Sequence, residues 1–282
     1  MTNDLQEKSS WALYNRGSAY QEVEDYFKAN NDLNECYRLA NAQENEFLTA
    51  NSLNLLGLTY MYQKEYHKAR DTFKKIINYE YQSLAASKYL GRAYHNTGRT
   101  FFEQENYLEA EKWFEKAVLV KETRKVPAEL FISYKALANT LVKNGQIGEA
   151  YAIGKKAENQ YEFVKLTEGN LKIFKTLREI SYTLGNFEAS NQYSSKYEEE
   201  TSKYLQEQQK IFDAKEQFTR DIITAGFFQP QSETSGFSLL NYLLIAIIML
   251  GGITLLIYRY IWMRRKLAIT EEIKAINIES NF

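Results

Sequence analysis

Between Gly98 and Ala117 the segment GRTFFEQENYLEAEKWFEKA sets small and large apolar residues at helical intervals, with charged residues between them. Gly98 and Phe101 lie one turn apart, and Tyr107, Ala110, Phe114 and Ala117 repeat the spacing beyond a break at Asn106. Apolar positions three and four apart fall on one face of a helix. The pattern therefore predicts two short antiparallel helices. They approach closely at Gly98 and Ala110 and interlock at Phe101, Tyr107 and Phe114. Such a pair leaves apolar surface open on its outer sides and demands neighbours of the same kind.

The chain supplies them at intervals of about 40 residues, within the range of helical repeat arrays. The small residue of the close contact recurs as Gly17, Gly57, Gly98 and Ala138, and gives way to Arg178 in a fifth unit. Three positions on stand Tyr20, Tyr60, Phe101, Leu141 and Ser181. After the turn come Tyr26, Tyr66, Tyr107, Ile147 and Phe187, and then Ala29, Ala69, Ala110, Ala150 and Ser190. Turns are expected at Asn30-Asn31, Gln63-Lys64, Asn106, Asn144-Gly145 and Gly185-Asn186, and Pro127 suits the first turn of a helix.

Gly57, Tyr60, Tyr66, Ala69 and Phe73, with Gly98, Phe101, Tyr107, Ala110, Phe114 and Ala117, resemble the signature of the tetratricopeptide repeat (TPR). The resemblance covers roughly residues 10–200. It implies an all-α fold, a right-handed superhelix of about five helix-turn-helix units near 10–49, 50–90, 91–130, 131–170 and 171–200. A spacing above the usual 34 residues implies helices longer by up to a turn. The loss of the small residue at Arg178 suits an end-capping unit.

Residues 192–223 read as a long terminal capping helix, with Tyr197, Tyr204, Ile211 and Phe218 at seven-residue intervals. The same period would serve a homodimer through 192–223. A linker follows at 224–237, and then a stretch at 238–260 rich in Leu and Ile and free of charge before Arg259. Each Leu or Ile favours bilayer insertion by roughly 0.3–0.6 kcal/mol, so a single transmembrane helix is expected there, in contact with lipid. The basic tail at 261–282 includes Arg264, Arg265 and Lys266. The order of parts is similar to the input half of bacterial TPR-containing membrane sensors, which suggests a bacterial inner membrane. Two signals of sidedness oppose each other. The arginines after the span favour repeats outside, whereas the first thirty residues hold no signal-like apolar run.

Composition narrows the chemistry. A formal net charge of -1 provides no general attraction for nucleic acid. Cys36 is the single cysteine and occupies a small-residue position, so it reads as packing. The two histidines, His67 and His95, fall in different units without metal-ligand spacing. No catalytic residue, metal or cofactor is expected.

What remains is a binding surface. In TPR proteins the first helix of each pair lines a concave groove. Carried over by position, that groove comprises Arg92, His95, Arg99 and Phe102, then Lys135 and Asn139, then Lys172 and Lys175. Trp11, Tyr14, Met61 and Tyr62 add apolar anchors. Such a stripe of cations suits an acidic protein or peptide. Lys135 and Asn139 partly match the carboxylate clamp of chaperone-binding TPR domains, but Thr176 stands where the clamp has asparagine. A protein-interaction module is the first expectation. A sensory input protein split from its output domain is the second, and an enzyme a distant third.

Overall fold

The computed structural model describes residues 3–79 and 87–224. Among them are ten α-helices, a short 3-10 turn at Tyr161–Phe163 and no strand. The helices come in pairs: α1 (Asn3–Glu22) with α2 (Tyr26–Ala42), α3 (Glu46–Tyr62) with α4 (Tyr66–Ile77), and α5 (Ser87–Glu103) with α6 (Tyr107–Arg124). Then follow α7 (Pro127–Lys143) with α8 (Ile147–Glu158), and α9 (Glu168–Thr183) with α10 (Phe187–Thr224). The chain divides into compact units at 1–214 and 215–282; the first holds the stack, and only the end of α10 is described in the second.

The turn within each pair is built the same way. A backbone N–H reaches back five residues to a carbonyl: Asp25 to Tyr20, Glu65 to Tyr60, Asn106 to Phe101, Gln146 to Leu141 and Asn186 to Ser181. This closure satisfies a helix-end carbonyl and requires a left-handed residue just before the donor. That residue is Glu24, Lys64, Glu105, Gly145 or Gly185, with φ between 59° at Glu105 and 78° at Gly145. The next helix starts at once, capped by a side chain where Asp25 accepts from Lys28 N–H and Asn106 from Glu109 N–H. Pro127 stands at the first position of α7.

Close packing then sets the distance between paired helices. A Cβ placed on Gly98 would lie 2.9 Å from the Phe114 ring, and one on Gly17 would lie 2.8 Å from Leu33 Cγ. On Gly57 it would run into Phe73. Phe73, Phe114, Phe131 and Phe174 are fully buried. The core is strung along the stack: Ala50, Leu53, Phe73, Tyr89 and Ala93 join the second and third pairs. A larger cluster runs from Ala110 and Phe114 through Phe131 and Phe174 to Tyr193. Successive first helices touch, α3 on α5, α5 on α7 and α7 on α9.

At the end of the stack, Glu158 of α8 joins α10. It receives Lys155 Nζ at 2.5 Å, Lys196 Nζ at 2.8 Å and the Tyr193 hydroxyl at 3.0 Å. Burial works against its ionisation, but the bonds from Lys155 and Lys196 outweigh that and hold its carboxyl below the ordinary range.

Three expectations need correction. The turn placed at Asn30-Asn31 lies inside α2, and the chain reverses at Glu24 instead. The charged left-handed residue there gave no turn signal in the sequence. The terminal helix does not begin as a separate element near 192, because α10 is one helix of 38 residues from Phe187. Assignment to a membrane is withdrawn. Among the described residues no helix is long and apolar enough to cross a bilayer. The segments 225–237, 238–260 and 261–282 lie outside the described residues, and so does the order of parts that resembled a membrane sensor.

The packing makes opposite demands at two positions. Phe114→Ala should lower stability by about 3–5 kcal/mol, since it opens a cavity opposite Gly98. Gly148→Ala, where an added Cβ meets nothing within 4 Å inside a helix, should raise stability by roughly 0.5–1 kcal/mol; thermal melts compare the two. Glu158→Gln should be less stable than wild type at pH 7. A carboxyl with a lowered folded pKa contributes above its ordinary value of 4.5 and loses that contribution as pH falls through its folded value. The two proteins should therefore converge in urea midpoint below that pH.

Candidate partner-binding crevice

Helices α5 and α7 lie side by side, and each turns one face toward the crevice between them. On α5, Arg92, His95, Arg99 and Phe102 follow the three- and four-residue spacing of a single helical face. On α7, Ile132, Lys135, Ala136 and Asn139 do the same. His95, Arg99, Phe102, Lys135 and Asn139 come together around a crevice of about 320 Å³, which Phe114, Ile132, Ala136 and Glu103 complete.

Two cations, Arg99 and Lys135, line it against one carboxylate, Glu103, so its balance is positive. Among the described residues Arg99 makes no ion pair, and Lys135 donates only to neutral oxygens. These are the Gly169 carbonyl at 2.8 Å and Asn170 Oδ1 at 3.1 Å, at the start of α9. Burial, then repulsion from Lys172 and Arg99, pushes the Lys135 ammonium down to about 8. Asn139 Oδ1 accepts from the Thr176 hydroxyl at 2.9 Å, which leaves its amide hydrogens for other acceptors. Phe102 stands edge-on to Tyr107 at 5.2 Å and supplies an apolar wall.

The other residues read from the sequence lie elsewhere. Arg92 faces Glu129 at 3.6 Å, a carboxylate that Arg124 also contacts at 3.0 Å. Lys172 and Lys175 are exposed on α9, outside the crevice lining. Met61 is no surface anchor, because its side chain is core, packed with Leu53 and Phe73. Trp11 lies against Tyr14 and Phe47, and Tyr62 stacks on Tyr26, in the first two pairs.

Behind the crevice a line of polar groups leads to His95, and the sequence reading missed its two inner members, Lys121 and Ser133. Lys121 of α6 is 3% exposed, and its Nζ donates to Ser133 Oγ at 2.8 Å and the Glu129 carbonyl at 3.4 Å. Ser133 Oγ lies 3.3 Å from His95 Nδ1. The His95 ring packs on Phe114 at 5.2 Å. Burial, then the charges of Lys121, Arg99 and Lys135, depress the His95 pKa well below its ordinary value and keep the ring neutral near pH 7. Burial likewise brings the Lys121 ammonium down to about 8. A signal existed: Lys121 continues the buried stripe of Ala110, Phe114 and Ala117 on α6, where an apolar residue is expected.

A second depression of about 360 Å³ is lined by Lys64, His67, Lys68, Arg70 and Gln104. Two of its cations are engaged, Lys68 with Glu65 and Arg70 with Gln104. Cys36 is fully buried, and burial raises its thiol to about 11.

Comparison with known proteins agrees with this architecture. Residues 8–79 and 91–124 match models of the tetratricopeptide repeat, so the chain carries TPR repeats. A photosystem I assembly protein Ycf3 of Prochlorococcus marinus is 28% identical over 114 residues. That match covers 40% of this chain and 64% of the relative, a little under two thirds of its length. A Ycf3 of Synechococcus sp. (strain CC9311) is 26% identical over 113 residues, covering 40% of this chain and 64% of the relative. Among solved structures, aspartyl phosphate phosphatase F from Bacillus subtilis superposes with a TM-score of 0.59 at 17% identity, over 73% of this chain and 55% of that one. BtubC from P. vanneervenii superposes at 0.56 with 12% identity, over 84% and 96%. At such identities the likeness is one of fold, an all-helical TPR-type stack.

The buried ammonium provides a test of this geometry. Lys121→Met should fold with stability within about 1 kcal/mol of wild type, because an apolar side chain of similar length removes a desolvated charge. The native ammonium releases its proton near 8, while the unfolded one holds it to about 10.5. The unfolded state then binds more protons, so wild type should gain stability over the variant as pH rises through that window. Urea denaturation at several pH values measures the difference.

Proposed function

We propose that the chain is a non-catalytic interaction module whose α5/α7 crevice holds acidic side chains of a protein partner. The observation that carries this reading is the gathering of Arg99 and Lys135 on one crevice, with only neutral oxygens within hydrogen-bond reach of Lys135. Cations held partly out of water form stronger, shorter bonds to carboxylates than exposed ones do. Asn139 adds a neutral donor, and Phe102 offers an apolar contact for the carbons of the same segment. Arg92, Lys172 and Lys175 stand outside the crevice, where they would act at longer range on the approach of a negative segment. The name of the Ycf3 relatives, an assembly protein, fits a role in bringing other proteins together.

An acetylated and amidated Glu-Asp-Glu-Asp peptide should bind the protein, and the triple variant Arg92→Ala/Arg99→Ala/Lys135→Ala should weaken it by about tenfold or more. Affinity should also fall as pH rises through about 8, where Lys135 loses its charge. Binding that is unchanged in the triple variant, as read by calorimetry or by recovery of partners in pull-downs, would sink the proposal.

A further inference from the structure

The crevice has a device behind it that a simple patch of surface cations would not need. Lys121 comes from α6, the second helix of its pair, and passes beneath Gly91, whose missing Cβ makes room for the lysine stem. An ammonium can only donate, so the Ser133 hydroxyl must accept from Lys121 at 2.8 Å. The hydroxyl hydrogen then needs an acceptor. Thr97 and Thr140, buried hydroxyls on these same two helices, donate to carbonyls of their own helix. For Ser133 the partner in reach is His95 Nδ1, at 3.3 Å. An Nδ1 that accepts leaves the ring hydrogen of neutral histidine on Nε2.

We propose that Lys121 and Ser133 hold the His95 ring as the Nε2–H tautomer, so that it serves as a hydrogen-bond donor to an oxyanion seated in the α5/α7 crevice. This rests on the acidic-ligand reading above and deepens it, because it names the group that recognises the ligand and two positioning residues that do not touch it. The charges facing the ring come from several elements: Lys121 on α6, Arg99 on α5 and Lys135 on α7. Burial and those three cations oppose a proton on the second nitrogen, so the ring recognises an anion by a neutral N–H, while Arg99 and Lys135 supply the charge. A carboxylate, with its several lone pairs, accepts from all three at once. A neutral donor fixed by its neighbours also costs little reorganisation when ligand arrives.

The test uses the full chain with 15N-labelled histidine. His67, the other histidine, is exposed on α4 and provides the reference spectrum. At pH 7 His95 should show a protonated Nε2 and an unprotonated Nδ1. Ser133→Ala should abolish that preference while leaving the fold intact, a change that a merely structural hydroxyl would not produce. His95→Gln keeps an N–H donor and should retain the amidated Glu-Asp-Glu-Asp peptide within about threefold, whereas His95→Leu should lose about tenfold. Acetyl-triglycine with a free C-terminus separates a terminal carboxylate from acidic side chains. Tighter binding of that probe than of the amidated peptide would overturn the side-chain assignment. An Nδ1–H tautomer in wild type, or an unchanged tautomer in Ser133→Ala, overturns the relay even if the peptide binds. No peptide binding to wild type overturns the acidic-ligand reading itself, and the ligand half of this inference with it.

Discussion

The first three pairs depend on one contact, the approach of a side chain to a backbone that carries no Cβ. At Gly57 and Gly98 the ring of Phe73 or Phe114 occupies the space a methyl group would fill. Interiors packed to crystal density gain dispersion from such interlocking and lose it with any gap. The contact fixes how near the two helices of a pair come. The left-handed turn residue and the five-residue back-bond fix where the chain reverses. Together they produce a pair with apolar surface left on both sides, and stacking is the way to bury it.

Stacking has a consequence for polar groups. It sets first helices side by side, so residues on their outer faces converge across a crevice, and residues on the second helices come up from beneath. Lys121 is the clearest case. An ammonium with one hydroxyl and one carbonyl within reach, rather than a carboxylate, does little for stability. Its position is better accounted for by what it orders, the Ser133 hydroxyl and the His95 ring, than by what it contributes to the fold. Glu158 shows the opposite arrangement, a half-buried carboxylate with two lysines and a tyrosine, which ties the last long helix to the stack.

Much of the architecture was legible because periodicity is local. The columns headed by Gly17, Tyr20, Tyr26 and Ala29 could be followed from unit to unit without knowing any contact. The misreading at Asn30 has a definite cause. Asparagine is a common turn residue, yet here its side chain bonds to Gln63 within the helical stack, while Glu24 takes the left-handed conformation. Met61 was misplaced because position alone does not say which side of a helix a neighbouring pair will cover. The crevice was only partly legible. Spacing put Arg92, Arg99 and Lys135 on first helices, but the Arg92 guanidinium is turned to Glu129, and Lys135 reaches to the α9 backbone.

The sequence by itself determined the helix pairs, their repeat and the small-to-aromatic contacts, since each is specified by the local spacing of residues within one repeat. Only the tertiary structure decided which polar side chains share a volume. That choice depends on the angle at which one pair lies on the next, and on how far burial weakens a charge's hold on its proton. Lys121, carried on a different helix from Ser133, meets His95 only after three helices have packed.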